Sequence, residues 1–398
     1  MKISLIQPSR NNLKYLQWSY NAIRKNQGQH DVQITVADDA STDGTWDWCL
    51  ETMRKDLDFQ AIRNNTGERL GHTILYDTLV NEVARYDVCM IYHADMYLLP
   101  GALDHIEERL KEKTIVSLTR IEPPLHPPGP EKILMDFGVE PEEFEEEKLL
   151  EWFQTLQQPQ LTKITEGVFA PWAFWKKDFQ HIGGHDPVYA PQSKEDSDIF
   201  NRFQLSGIKF IQTWGGCVYH MTCRGSRRNT LDKAKNIYED SPEWLAQNER
   251  SSRNFVRKWG HFVKHDAHMK PIIPHKYNIG FILQNGTPEL LSALEPWCDT
   301  LYYHHPFNMH AIEEYVAAEQ ENTLFNLGER VKTHEAEKKN DILIKIDGNK
   351  FSHDDFRLTQ QLPEVLAKIG TAGLFQLSNL QIEIKELKTY EKDLIHCE

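Results

Sequence analysis

The chain has 398 residues and is 40% hydrophobic, enough for two or three domains with cores of their own. Its net charge of −14 excludes the basic surface on which nonspecific nucleic-acid binding depends. No apolar run approaches the roughly 20 residues that cross a bilayer, and the N-terminal ISLI is too short for a signal peptide. Cys49, Cys89, Cys217, Cys223, Cys298 and Cys397 form no CxxC pair, so reduced thiols fit better than a disulfide framework or a zinc knuckle. A cytoplasmic protein with no transmembrane segment and no nucleic-acid partner is expected.

In chain order, Lys2–Gln7 reads as a strand, Leu13–Lys25 as a helix, and Val32–Asp38 as a second strand. A helix starts at Trp46 and runs to Met53. Phe59–Asn64 is a short strand, Thr73–Ala84 a helix, and Asp87–Ala94 a buried strand. This βαβα rhythm predicts a mostly parallel sheet with helices on both faces, binding ligands beyond the carboxyl ends of its strands. Residues 122–160 break the rhythm. Five prolines fall between Pro123 and Pro130, and Glu140, Glu142, Glu143, Glu145, Glu146 and Glu147 crowd before LLEWF. A surface insertion with one acidic, solvated helix is expected there. Short strands and a helix at Ser197–Leu205 follow, then a basic, helical stretch over 224–270. From Pro271 a new unit begins, with strand-like YNIGFIL, TLYYH, DILIKID and LFQLS and helices at Glu289–Leu294 and Asp354–Ile369. No repeat of fixed period is visible. The division expected is a catalytic domain over 1–270 and a smaller α/β accessory domain over 271–398, with candidate roles in acceptor recognition or homo-oligomer contact.

Chemistry-bearing residues gather at the predicted strand ends. Gln7-Pro8-Ser9-Arg10-Asn11 ends the first strand, and Asp38-Asp39 ends the second. Ser41 and Asp43 read as turn and cap residues. That does not explain two adjacent aspartates, which are costly to bury without donors. A carboxylate there can accept from a base N–H or a ribose hydroxyl. Asp95, in Tyr92-His93-Ala94-Asp95, follows an apolar run to the same edge, where it can hold a hard divalent cation and thereby a diphosphate. Gly183-Gly184-His185-Asp186 precedes Lys194-Glu195-Asp196-Ser197-Asp198, whose acids exceed what one helix N-terminus needs. One of them can deprotonate a hydroxyl. His220 is a candidate to complete a metal site, and Arg224, Arg227 and Arg228 behind it are candidates for phosphate.

The succession of strand–Pro–x–Arg–Asn, DDASTDGT, Asn64-Asn65-Thr66-Gly67, HAD, GGHD and EDSDIFNRFQLSG resembles family-two glycosyltransferases of the GT-A fold over roughly residues 1–225. The resemblance implies a Rossmann-like α/β domain and an inverting, metal-dependent hexosyltransferase using a nucleotide-sugar donor, UDP-linked by default. It implies donor contacts at Pro8, Arg10, Asp38, Asp39 and His93, with Arg69 and Arg227 near the phosphates. It implies metal ligation by Asp95, helped by His220, and a catalytic base at Asp196 with Glu195 beside it. Gly184, His185 and Asp186 would line the side of a glycan or other hydroxyl acceptor. His93 stands where the family's DXD motif has its first acid. Imidazole is a poor ligand for Mg²⁺ and is better tolerated by Mn²⁺, so the divalent cation expected is either of these with Mn²⁺ the better fit. A dehydrogenase would carry GxGxxG after the first strand, and SLIQPSRNNLKYL has no glycine. A nucleotidyltransferase would carry a Gly-rich basic loop there, where only Arg10 and Lys14 stand. A pseudo-transferase that only binds nucleotide sugar is supported by His93 and opposed by Asp95 and Asp196.

Overall fold

The computed structural model describes residues 1–156, 158–222, 240–304 and 309–396. Cys223, Arg224, Arg227, Arg228 and Cys397 lie outside the described residues. The chain forms two compact units, one of Met1–Ala246 and His265–Ile272 with His396, the other of Gln247–Lys264 and Ile273–Ile395.

In the first unit β1 (Lys2–Ser9), β2 (Asp31–Asp38) and β4 (Val88–Ile91) are buried almost throughout, as parallel strands covered on both faces must be. Between them come α1 (Leu13–Asn26), α2 (Thr45–Lys55), β3 (Phe59–Arg63) and α3 (Gly71–Thr78), the last continued by a π-turn over Leu79–Val83. Helix α1 buries Tyr15, Leu16, Ser19, Ala22 and Ile23, one stripe at helical spacing. Then follow β5 (Met96–Leu98), α4 (Ala102–Arg109), β6 (Thr114–Glu122), β7 (Ile133–Leu134), α5 (Glu146–Gln154), α6 (Gln158–Thr162) and β8 (Ile164–Thr165). The unit continues with β9 (Trp172–Trp175), α7 (Lys176–His181), α8 (Glu195–Leu205) and β10 (Lys209–His220). The sheet order is β3-β2-β1-β4-β9-β6-β10-β5, with β7 on β6 and β8 on β10. Strands β5, β8 and β9 run against the others. The carboxyl ends of β1, β2, β4, β6 and β10 therefore share one edge, which collects Arg10, Asp39, His93, Asp95, Glu122 and His220.

The acidic insertion differs from the expected solvated face. Glu140 accepts hydrogen bonds from Lys14 Nζ and Tyr15 Oη of α1, each at 2.5 Å, and Glu146 accepts from Lys25 Nζ at 2.7 Å and from Tyr97 Oη. Beneath these pairs Phe137, Leu149 and Trp152 pack with Tyr15, Tyr97 and Tyr219. The run of glutamates is partly a docking strip for the positive side of α1.

The second unit takes most of α9 (Pro242–Trp259), which the 1–270 boundary assigned to the first. Its Arg257 is fully buried against Glu295 at 2.6 Å, Arg330 closes on the other carboxylate oxygen at 2.6 Å, and Val256 joins the second core. Elements β11 (Ile279–Gln284), α10 (Pro288–Leu294), β12 (Thr300–Tyr303), α11 (Met309–Gln320), α12 (Leu327–Arg330), β13 (Val331–Thr333) and β14 (Ile342–Asp347) follow. The helix expected over Asp354–Ile369 is two, α13 (His353–Gln360) and α14 (Leu362–Ile369). Pro363 has no N–H to continue the hydrogen bonding of α13, so the first helix ends, and Pro363 sits in the first turn of the second, where no N–H is needed, with Gln361 between them. Strands β15 (Gly373–Leu377) and β16 (Leu380–Ile384) complete the order β13-β12-β11-β14-β16-β15. The run β13-β12-β11-β14 is parallel and β16 lies antiparallel to β14. That is the order and direction of β3-β2-β1-β4-β9 in the first unit.

Candidate active site at the carboxyl edge of the first sheet

His93 and Asp95 leave β4 together. The antiparallel pairing of β5 with β10 sets His220 opposite Met96, and Met221 N–H donates to the Asp95 carbonyl at 3.1 Å. His220 Nε2 thereby stands 3.4 Å from Asp95 Oδ2, and the His93 and His220 rings are 5.8 Å apart. One ligating atom from each of His93, Asp95 and His220 lies within 4.8 Å of the other two. Two imidazoles and a carboxylate suit a borderline or Mn²⁺-like cation better than Mg²⁺. Burial lowers the pKa of His93 to about 4, so it stays neutral and able to ligate. Burial opposes protonation of His220, but Asp95 and Glu122 outweigh it and raise its pKa to about 9, so a cation bound there would have to displace the Nε2 proton. Burial would raise Asp95, yet the charge of His220 holds it below the usual carboxylate range. His93, placed on the donor side by resemblance, thus sits with the two candidate metal ligands.

Glu122 escaped the sequence reading. It ends β6, is buried, and its Oε1 accepts from His220 Nδ1 at 2.8 Å, which turns Nε2 toward Asp95. A carboxylate behind a ligating imidazole fixes tautomer and ring orientation. Arg120 at 3.4 Å and Lys132 at 3.1 Å balance its charge. The available signal was a lone acid ending an apolar strand, the same signal that marks Asp95.

On the donor side the two aspartates already have partners. Asp39 accepts from Asn64 Nδ2 at 2.7 Å and from the N–H groups of Leu70 at 3.0 Å and Gly71 at 2.9 Å. Asp38 accepts from Ser41 N–H at 3.0 Å and faces Arg63 Nε at 3.3 Å. These bonds satisfy the Asp39 carboxylate and fix the loop leading into α3, whereas Asp38 Oδ2 is buried with the Arg63 ion pair but no hydrogen bond among the described residues. Arg10 is exposed and donates to the Asp39 carbonyl at 3.0 Å, while Pro8 lies in β1 opposite Ala37. Gly71 has φ +76°, and a Cβ there would collide with the carbonyl of Pro191. That close approach brings the segment before α8 against α3, where Arg69 donates to Gln192 at 2.7 Å and His72 Nε2 lies 2.8 Å from Glu195 Oε1.

The acids of α8 separate into distinct environments. Asp198 is fully buried and bonded to Arg202 Nε at 2.7 Å, so it is structural. Arg202 also donates to the carbonyls of Ile182 at 2.9 Å and Gly184 at 2.6 Å, and so anchors the GGHD loop to α8. Asp186 accepts from Val188 N–H at 3.0 Å and caps a short 3₁₀ turn. Glu195 is buried; burial would raise its pKa, but the bond to His72 lowers it below the usual range. Asp196 is half-buried, and burial together with the Glu195 charge pushes it up to about 6. Gly184 has φ +70° and touches the Asp77 carboxylate where a Cβ would stand. His185 is held to Asp77 through its N–H at 3.0 Å and its Nδ1 at 2.7 Å. His72, Tyr76 and Asp77, spaced along one face of α3, read in sequence as ordinary helix surface.

Residues 4–183 match the family described as Glycosyl transferase family 2. The solved structures that align with the chain include two in complex with Mn²⁺. One is the mannosyltransferase PcManGT from Pyrobaculum calidifontis in complex with GDP-Man and Mn²⁺, at 15% identity over 55% of this chain and 56% of that one, TM-score 0.39. The other is GalNAc-T7 with UDP, GalNAc and Mn²⁺, at 13% identity over 65% and 51%, TM-score 0.44. The chain spans little more than half the length of either. No curated protein matches it.

Proposed function

We propose, from the match of residues 4–183 to glycosyltransferase family 2, that this protein moves a hexosyl group from a nucleotide sugar, UDP-linked by default, to an acceptor hydroxyl with inversion. The observation that carries the proposal concerns Tyr76. Burial raises its pKa well above the ordinary value, and the charges of Asp196, Glu195 and Asp95 add to that effect. One side chain thus lies within electrostatic reach of the candidate base and of the candidate metal ligands, which fits a single crevice holding donor and acceptor.

Asp196 is the base. A carboxylate whose pKa is lifted toward neutrality takes a hydroxyl proton more effectively than an ordinary aspartate, and is still ionised at pH 7. It accepts the acceptor's proton as that oxygen attacks the anomeric carbon. Glu195 stays ionised against His72 and keeps a second proton off the pair. Asp95, His220 and His93 would hold a divalent cation, Mn²⁺ by their chemistry, which would supply positive charge for the leaving diphosphate. Arg10 and Arg69 lie on the donor side, and Arg227 is a donor contact in this reading. The second unit is assigned acceptor recognition or homo-oligomer contact. The test is nucleoside-diphosphate release from a panel of nucleotide hexoses with Mn²⁺ or with EDTA. Release that needs Mn²⁺ supports the reading, and binding without turnover would favour the pseudo-transferase.

A further inference from the structure

Glu195 and Asp196 are neighbours at the start of α8, and a carboxylate at either position is chemically able to take a hydroxyl proton. Two acids so close titrate as a pair, because each charge raises the pKa of the other. A third group has to decide which acid keeps its charge and which one titrates. The packing of α3 against the segment before α8 supplies that group. Thr73 donates to the Pro191 carbonyl from its N–H at 3.4 Å and from its Oγ1 at 3.3 Å, two residues after the close approach at Gly71. Ser193 and Lys194 then take left-handed backbone, φ +80° and +72°, a region that residues other than glycine seldom occupy. Glu195 follows, only 5% exposed, and its Oε1 meets His72 Nε2 at 2.8 Å, whereas the His72 side chain keeps 35% of its exposure. An ionised carboxylate only accepts, so Nε2 carries the proton of this bond.

Titratable and charged groups face the two acids from each element packed against them. On α8 itself Asp198 is spent on Arg202. Helix α3 contributes His72 and Tyr76, with Arg69 just before it, and the GGHD loop contributes His185, held by Asp77. Partial burial opposes the charge of His72, but the bond to Glu195 outweighs it and raises the His72 pKa above the ordinary imidazole value. Burial would raise Glu195, and the same bond lowers it. Burial and the Glu195 charge push Asp196 up. One hydrogen bond thus drives two adjacent acids apart.

We propose that His72 is a positioning residue for the base: bonded to Glu195 as an imidazolium, it reserves that acid as a fixed anion and leaves Asp196 as the group that exchanges a proton with substrate. This rests on the transferase reading. His72 acts through Glu195 and is assigned no contact with substrate.

The experiment compares kcat–pH profiles of the full chain with Mn²⁺ and UDP-, GDP- and dTDP-linked glucose and galactose, for the wild type, His72→Gln, Glu195→Gln and the double variant. Glutamine at position 72 keeps a donor for Glu195 and removes the charge. Loss of a cation beside two carboxylates makes both harder to ionise, so the acid limb of His72→Gln should move up by about one pH unit. The rate should then be about fivefold lower than wild type at pH 6 and within about twofold of it at pH 8.5. Glu195→Gln removes the like charge beside Asp196, so its limb should move down. In that background His72→Gln should shift the limb by less than about half as much, because the route through Glu195 is gone. The folded wild type without substrate gives a second readout. In a histidine Cε1–H NMR titration the His72 signal, assigned by its loss in His72→Gln, should titrate above an ordinary imidazole and fall back in Glu195→Gln. The proposal is overturned if the limb of His72→Gln stays at the wild-type pH, since a merely structural role lowers kcat at every pH without moving the limb. It is equally overturned if the limb moves as far without Glu195 as with it, or if the wild-type His72 signal titrates as an ordinary imidazole. If the wild type consumes none of these nucleotide sugars, the transferase reading falls and takes the proposal with it, whatever the His72 signal does.

Discussion

Strands β3-β2-β1-β4-β9 and β13-β12-β11-β14-β16 follow the same order in the same directions, and their carboxyl edges carry different chemistry. In the first unit the edge brings His93, Asp95 and His220 together, with Glu122 behind them. In the second unit the corresponding strand ends hold Gln284, His304, His334 and Asp347. Asn285 Nδ2 donates to Asp347 Oδ1 at 3.0 Å, Asn349 N–H donates to the same oxygen at 3.2 Å, and Gly348 N–H donates to the Gln284 carbonyl at 2.8 Å. The His304 and His334 rings stack 3.3 Å apart, and burial and neighbouring positive groups lower the pKa of both. Among the described residues no three metal-ligating side chains converge there. A parallel sheet with a switch in strand order provides a place for a ligand. What occupies it depends on whether the groups at the edge are already consumed by their own backbone. Asp38 and Asp39 make the same point within the first unit, since internal donors hold both.

That contrast can be sharpened by mutation, beginning with the largest effect. Asp196→Asn keeps the shape and loses the proton acceptor, so turnover should fall by about 10²–10⁴ while nucleotide affinity holds. The wild-type rate should decline as pH drops through about 6, because the raised carboxyl must be ionised to act. A kcat profile flat from pH 5 to 8 would remove Asp196 from that role. A smaller effect is expected behind the metal ligands. Glu122→Gln frees the His220 ring to turn, and Mn²⁺ affinity followed by electron paramagnetic resonance should weaken by about 10–100-fold. Unchanged Mn²⁺ affinity would reduce Glu122 to a partner of Arg120 and Lys132.

The first half of the fold was legible because apolar-rich strands alternate with helical spacing, and β2 and β4 run into acids. Asp95 stood out for that reason, and Asp196 because the acids opening α8 exceed what one helix N-terminus needs. Glu122 did not, because it is followed at once by the prolines of 123–130, and that boundary looked like the start of a surface insertion rather than the end of a core strand. The tethering of His185 by Asp77 was invisible because Asp77 lies on a helix whose polar face looks like any other, and only the close approach at Gly184 joins the two. Strand position alone could not reveal that Asn64 and the N–H groups of Leu70 and Gly71 bond the Asp39 carboxylate, or that Ser41 and Arg63 hold Asp38. The likeness of the two sheets resides in strand order, which survives without a shared residue pattern, so no sequence period betrays it. The break at Pro363 was readable from the proline itself, but the apolar spacing of Phe356, Leu362, Leu366 and Ile369 outweighed it.

The central claim is that the first sheet's edge, and not the second's, holds nucleotide through a cation. The direct measurement is calorimetric titration of UDP with Mn²⁺ into the wild type, Asp95→Ala and Asp347→Ala, with folding checked by circular dichroism. The account predicts that Asp95→Ala abolishes the Mn²⁺-dependent part of binding and that Asp347→Ala leaves affinity within about twofold, as expected for a site whose ligands lie elsewhere. Intact binding in Asp95→Ala, or loss confined to Asp347→Ala, would contradict it.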